Sequence, residues 1–277
     1  MIPHNGSFRP RVVGVVHLDA LPGTARGASA TRFPLLLDRA RRDAAAFAEG
    51  GANALIVENF GDVPFVKDSA PPSTIAAMTL AVAAVREVSD LPVGVNVLRN
   101  DVLGAVSVAA MAGALFVRAN VYVGAALTDQ GIIEGRAEEV QALIRRLATP
   151  VAVWADVDVK HAVQLAARPQ GDLAEDAVER GLASAVIVTG RATGQPVSLS
   201  DLQAVTVAVP TTPVYVGSGA TAESVHRLLT AASGIIVGTA AKADGLLANP
   251  VDSARVRMIV RAAVNSPVLG DAHGTDS

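Results

Sequence analysis

The sequence predicts a TIM (β/α)8 barrel. Three observations carry this expectation. Eight short apolar runs alternate strictly with eight helix-period segments, alternate strands share the same lead-in, and polar residues gather at the carboxyl ends of the strands. Alternating β and α units imply parallel strands. Eight such units in roughly 250 residues match the size of this barrel.

In chain order, the first strand is expected at Val12–Val16 with a helix over Phe33–Glu49, and the second at Ala54–Val57 with a helix over Ser73–Val88. Val93–Val97 and Leu115–Ala119 follow, with helices over Val102–Ala112 and Arg136–Leu147. The fifth and sixth strands are Val151–Val157 and Ala185–Val188, with helices over Leu173–Arg180 and Asp201–Ala208. Val214–Val216 and Ile235–Val237 complete the set, with helices over Ala222–Thr230 and Ser253–Ala263. Strands three, five and seven begin Leu91-Pro-Val, Thr149-Pro-Val and Thr212-Pro-Val, whereas the even strands follow small-residue turns such as Gly51-Ala52 and Gly113-Ala114. Proline at the start of a strand costs no ladder bond, and glycine after a helix serves as its cap. A doubly wound open sheet fits less well, because no Gly-x-Gly-x-x-Gly follows the first strand. One domain over residues 1–264 is expected, with a loose polar tail over 265–277.

Composition narrows the function. The chain is 51% hydrophobic and 18% charged with net charge -3, which argues against a nucleic-acid partner. It has no cysteine, so disulfides, a thiolate nucleophile and a Cys-based zinc site are excluded. No apolar run is long enough to span a bilayer and Met1–Pro10 lacks a signal-peptide core. A cytoplasmic location is expected, and a homo-oligomer is left open.

The polar strand ends define a candidate site. His17 and Asp19 end the first strand, Glu58 the second, Asn96 the third, and Arg118 and Asn120 the fourth. The fifth carries Asp156, Asp158 and Lys160 at every second position, so all three project to one side of the strand. The sixth leads into Thr189-Gly190. In this fold the carboxyl end is the active-site face. Glu58, Asp156 and Asp158 could hold Mg²⁺ or another divalent cation through oxygen ligands, with Glu58 and Asp156 the metal pair. Alternatively Lys160 could shuttle protons or form a Schiff base. His17 with Asp19 could form an acid/base pair, while Asn96, Arg118 and Asn120 would orient substrate. Against this stands the plainer reading that some of these groups only pair with one another to close the barrel mouth.

The last two strands are followed by Gly217-Ser218-Gly219 and Gly238-Thr239. Loops at these two places often cradle a phosphate on backbone N–H groups. A small phosphorylated ligand is therefore expected; ordinary tight turns are the alternative. The long fourth loop, with Asp129 and Gln130 between Gly131, Gly135 and the strand, reads as a hinged lid. Its alternative is a capping motif that starts a short helix.

Several longer motifs resemble one family. They are Gly14-Val-Val-His-Leu-Asp-Ala-Leu-Pro-Gly23, Val57-Glu-Asn-Phe-Gly-Asp62, Pro92-Val-Gly-Val-Asn-Val-Leu-Arg-Asn-Asp101, Thr128-Asp-Gln-Gly-Ile-Ile-Glu-Gly135, Ala155-Asp-Val-Asp-Val-Lys-His161 and Val188-Thr-Gly-Arg-Ala-Thr-Gly194, with Gly217-Ser-Gly219 and Val237-Gly-Thr239. From about Arg11 to Val260 the chain resembles the BtpA/SgcQ family. That resemblance implies a TIM barrel, without a defined reaction, and a link to photosystem I biogenesis in photosynthetic organisms. The family often has a histidine or similar residue where this chain has Asp158, so the resemblance supports Asp156 more than Asp158. The expected function is isomerase or lyase chemistry on a sugar phosphate or nucleotide-like compound. The alternatives are a non-catalytic assembly factor and a transferase acting on a diphosphate-activated substrate.

Overall fold

Eight parallel strands close into a barrel, as the alternation predicts. The computed structural model describes residues 8–158, 162–165, 168–190 and 197–266, with only the backbone of Asp158. The barrel strands are Val12–His17, Ala54–Glu58, Val93–Asn96, Phe116–Ala119, Ala152–Asp158, Ala185–Val188, Val214–Val216 and Gly234–Val237, paired in that order until the eighth meets the first. The helices between them run Phe33–Glu49, Pro72–Val88, Val102–Ala112, Ala137–Arg146, Gln170–Glu175, Leu199–Ala208, Val225–Leu228 and Ser253–Val264.

Strand parity explains both the core and the site. Inward positions along each strand are apolar first and polar last. Val13 and Val15 precede His17, Ala54 and Ile56 precede Glu58, and Phe116 precedes Arg118. Trp154 precedes Asp156, Ile187 precedes Thr189, Tyr215 precedes Gly217 and Ile236 precedes Gly238. The lower positions form a closed plug in which Trp154 stacks on Phe116 at 4.1 Å and on Tyr215 at 4.3 Å. The outward positions join the helices in a second, larger core. Trp154 is thus core material, and the polar ring sits directly on an aromatic floor.

Three elements differ from expectation. The fourth loop is a β-hairpin, Ala125–Thr128 with Gly131–Glu134, and Ala162–Gln164 from beyond the fifth strand joins it in a three-stranded antiparallel sheet. Its turn at Asp129-Gln130 lacks the Asn-Gly or Asp-Gly signature that marks such hairpins. The fifth helix starts earlier and ends in a π-helical turn over Asp176–Arg180. The seventh helix has only four residues, because Thr221 and Ser224 bond to each other in a turn that precedes it. Beyond the last helix, Ser266 is buried and its carbonyl accepts from Arg11 at 3.2 Å. Residues 267–277 lie outside the described residues.

The loop after the eighth strand is tied to the first helix by a buried ion pair. Lys242 Nζ donates to Asp43 Oδ2 at 2.5 Å, and Asp43 Oδ1 accepts from Val251 N at 2.9 Å. Both side chains are essentially inaccessible to water. Removing one member of such a pair leaves an uncompensated buried charge and costs about 3–5 kcal/mol. Lys242→Met is therefore expected to lower the urea unfolding free energy by about that amount. A change smaller than about 1 kcal/mol, typical of an exposed pair, would show that the pair does not hold this loop.

Candidate functional site

The mouth of the barrel opens into a cavity of about 840 Å³. His17, Glu58, Arg118, Asn120, Thr189, Gly217, Ser218, Gly219, Gly238 and Thr239 all line it. Sequence reasoning named every one of these. His17, Glu58 and Asn96 lie side by side in the strand register, His17 beside Glu58 and Glu58 beside Asn96.

Asp156 holds the floor together from beneath. Its side chain has no exposure, and its carboxylate accepts from Arg118 Nε at 3.1 Å, Arg118 Nη2 at 3.1 Å and Asn120 Nδ2 at 2.7 Å. Asn96 adds donors to the Arg118 carbonyl at 2.9 Å and to Asn120 Oδ1 at 3.2 Å. The fork of Arg118 is thereby fixed by two hydrogen bonds to one carboxylate. Asp156 is not among the residues that line the cavity, and its carboxylate holds Arg118. Neither does it suit a metal. Arg118 and Asn120 already bond its carboxylate, and no group of three His, Asp or Glu able to share a cation occurs among the described residues. A hard divalent ion needs several oxygen ligands. The Asp156 carboxylate of the expected Glu58 and Asp156 metal pair is thus engaged by a guanidinium and an amide.

Asp19 is not the partner of His17. It is exposed and bonds Arg39 with both carboxylate oxygens, at 2.8 and 2.9 Å. It is the second residue after His17, beyond the strand end, and the helix that starts at Phe33 carries Arg39 to it. The partner of His17 is Glu58, with His17 Nε2 3.8 Å from Glu58 Oε1, and Phe60 stands edge-on to the imidazole at 4.9 Å between ring centres. Burial, reinforced by the Lys242 and Arg118 charges, pushes His17 down to about 3. Burial also raises the Glu58 carboxyl above its ordinary range; Arg118 opposes the rise, Asp156 adds to it and Arg99 opposes it. The environment therefore favours a neutral imidazole beside a carboxyl of raised proton affinity. That combination suits proton transfer at the cavity wall.

The two glycine loops adjoin these groups directly. A side-chain carbon on Gly238 would lie 2.4 Å from His17 Cε1, and one on Gly217 would lie 2.6 Å from Thr189 Cγ2 and 3.4 Å from Arg118 Nη2. Only glycine leaves room there for the acid/base groups. The Ser218 hydroxyl and His17 Nδ1 are buried without a hydrogen-bond partner among the described residues.

The remaining expectations divide. Asp129 and Gln130 form the hairpin turn and do not line the cavity; Gln130 Nε2 donates to Asp129 at 2.6 Å. Gly190 is buried just past Thr189. The backbone of Asp158 pairs with Val188 across a register shift that begins after Asp156. Lys160 and His161 lie outside the described residues. Asn59, Asn100 and Asp101, also at strand ends, are structural: Asn59 accepts from Leu98 N at 2.7 Å, Asn100 from Val121 N at 2.8 Å, and Asp101 from Ala70 N at 2.8 Å. Several lining residues lay outside the predicted site set, among them Phe60, Phe65, Glu223, Leu247 and Met258. Arg99, just beyond the third strand, also lines the cavity, and so does Arg255 in the last helix, its Nε donating to the Ala240 carbonyl at 3.0 Å. Arg99 stood in view within Val97-Leu-Arg-Asn-Asp101, but nothing in its spacing separated it from its neighbours; Arg255 is on a helix, where no strand-end rule applies.

The His17 assignment has a sign that can be checked. The unfolded chain binds the imidazole proton near pH 6.5 and the folded chain only near 3, so protons favour the unfolded state between these values. The stability contributed is full above about 6.5 and is lost as pH falls towards 3. Glu58 acts oppositely: its contribution is present below its ordinary range and is lost as pH rises through the elevated folded value. Proton NMR of the folded chain is expected to show no His17 titration between about pH 5 and 8. A midpoint close to 6.5 would contradict the burial argument.

Comparison with known proteins places the fold and the lineage. A sequence model described as the BtpA family matches residues 9–265. The Photosystem I biogenesis protein BtpA of Synechocystis sp. is 43% identical over 251 residues, covering 91% of this chain and 87% of that protein. An uncharacterized protein of Thermococcus kodakarensis is 45% identical over 92% of this chain and 95% of its own. Among solved structures, N-(5'-phosphoribosyl)anthranilate isomerase from Pyrococcus furiosus superposes with a TM-score of 0.55 at 14% identity, covering 92% of this chain and 98% of that one. GGGPS from Thermoplasma volcanium gives 0.54 at 14% identity, covering 92% and 93%. At such identities these structures show the barrel and nothing finer, whereas the sequence matches span almost the whole chain: it belongs to the BtpA family.

Proposed function

We propose that the cavity is the active site of an enzyme that carries out acid/base chemistry, of isomerase or lyase type, on a small phosphorylated substrate. One observation carries the reading: the two glycine loops that would hold a phosphate lie directly beside the site groups, Gly238 leaving no room for a Cβ against His17 and Gly217 standing next to Arg118. Phosphate on the backbone N–H groups of Gly217–Gly219 and Gly238–Thr239 would place the attached carbon skeleton over Glu58. The unpartnered Ser218 hydroxyl would gain an acceptor, and Arg255 stands beside the eighth-strand loop as a counter-charge. In this scheme Glu58 gives and takes the proton, neutral His17 polarises or relays at the same atom, and Arg118 and Asn120 orient the substrate's oxygen. Solved barrels of the same fold include a phosphoribosylanthranilate isomerase, which makes the reaction class reasonable for this scaffold.

A second reading, an assembly factor without catalysis, is favoured by the 43% identity to a protein named for photosystem I biogenesis. The two diverge at Glu58. Thermal-shift screening of phosphorylated metabolites is expected to reveal compounds that raise Tm without Mg²⁺; saturation to about 100 times Kd adds about 2.7 kcal/mol of stability. Glu58→Gln should keep that shift and lower turnover of the identified substrate about 10²–10⁴-fold. Absence of a shift with every phosphate compound would remove the cradle. Full biological activity in a folded Glu58→Gln chain would favour the assembly reading.

A further inference from the structure

We infer that the phosphorylated ligand carries an apolar body, either an aromatic ring system or an isoprenoid-like chain, in place of a polyhydroxylated sugar; this rests on the phosphate reading above. The observation is the composition of the cavity wall beyond the cradle. Six large apolar side chains line it: Phe60 and Phe65 from the loop after the second strand, Leu98 after the third, Leu247 after the eighth, and Met258 and Ile259 from the last helix. Charged lining groups adjoin this wall at a few places. Glu58 and Arg118 lie at the floor, Glu223 and Arg255 adjoin the cradle, and Arg99 follows Leu98.

Two physical arguments turn this wall into a ligand class. The first is hydroxyl accounting. A sugar hydroxyl moved out of water must find a partner inside the site or lose free energy. These six side chains, taken among the described residues, supply no donor or acceptor, so a hydroxyl placed against them would be left unpaired. The second is solvent exposure. Phe60 is 37% exposed, Met258 53% and Leu247 36%, so three of the side chains lining the cavity also present apolar surface to water. Isolated exposed apolar residues are ordinary, but a cluster rimming a cavity marks a binding surface. The volume agrees. About 840 Å³ lies near the top of the range of about 300–1,000 Å³ in which ligands of drug size bury most of their surface. A phosphate with a three- to five-carbon sugar would leave much of the wall uncovered. A glycine cradle beside a charged floor and six large apolar side chains describe a receptor for an amphiphilic phosphate ester.

The experiment is a titration series on the full chain, read by calorimetry, with inorganic phosphate, ribose 5-phosphate, 1-naphthyl phosphate, octyl phosphate, 1-naphthol and octanol. The two apolar esters are expected to bind at least tenfold more tightly than either inorganic phosphate or ribose 5-phosphate. Which ester binds better distinguishes an aromatic from a chain-like body. In Phe65→Ser the ratio of ester to inorganic phosphate affinity should fall at least fivefold, and the unaltered chain with its ligand series remains a complete test if that variant does not fold. Ribose 5-phosphate equal to or tighter than both esters overturns the inference and leaves the phosphate reading standing. Naphthol or octanol binding as tightly as its phosphate ester keeps the apolar subsite and overturns the cradle. Binding by none of the six overturns both.

Discussion

The site rests on the buried pair between Arg118 and Asp156. Removing two charges from water is costly, and their attraction repays that cost only when geometry is good and the remaining polar atoms are bonded. Here Arg118 meets Asp156 through two of its nitrogens, Asn120 takes a further position on the carboxylate, and Asn96 ties the Asn120 amide and the Arg118 carbonyl to the third strand. Three adjacent strands are thereby locked at the mouth. The result is a guanidinium that cannot turn away from the cavity, seated under Gly217 and close enough to Glu58 for their charges to interact. Everything above it, from the proton affinity of Glu58 to the neutrality of His17, is set in part by that fixed positive charge.

Strand parity distributes the rest. On each strand the inward side chain nearest the carboxyl end is polar or glycine, and the inward side chains below it are apolar. The plug of Trp154, Phe116 and Tyr215 supports the ring from beneath and closes the barrel under it. Low water access at the ring then follows from the fold itself. Burial is the largest cause of the shifts at both His17 and Glu58, so the same packing that stabilises the barrel also tunes its chemistry.

Much of this was legible in the sequence, because barrel and ring both follow from period and position. The eight strands, Glu58, Arg118, Asn120, His17 and the two glycine loops could all be placed by asking which residues end which strand. What could not be read was pairing in space. Asp19 stands two residues from His17, yet the helix carrying Arg39 captures it. Asp156 was expected to present its carboxylate at the mouth, yet that side chain is fully enclosed, because its neighbour across the sheet is the strand bearing Arg118. The hairpin over residues 125–134 was hidden because its turn uses Asp-Gln. Arg255 reaches the cavity from a helix whose own pattern is an ordinary amphipathic one.

In the proposed function, the loops after the seventh and eighth strands hold a phosphate beside an acid/base pair. A crystal structure of the chain with a bound phosphate ester tests it most directly. A tetrahedral group is expected within hydrogen-bonding distance of the backbone N–H groups of Gly219 and Thr239 and of the Ser218 hydroxyl, with the ester's carbon skeleton over Glu58. A phosphate bound away from both glycine loops, with the cavity floor untouched, would contradict it.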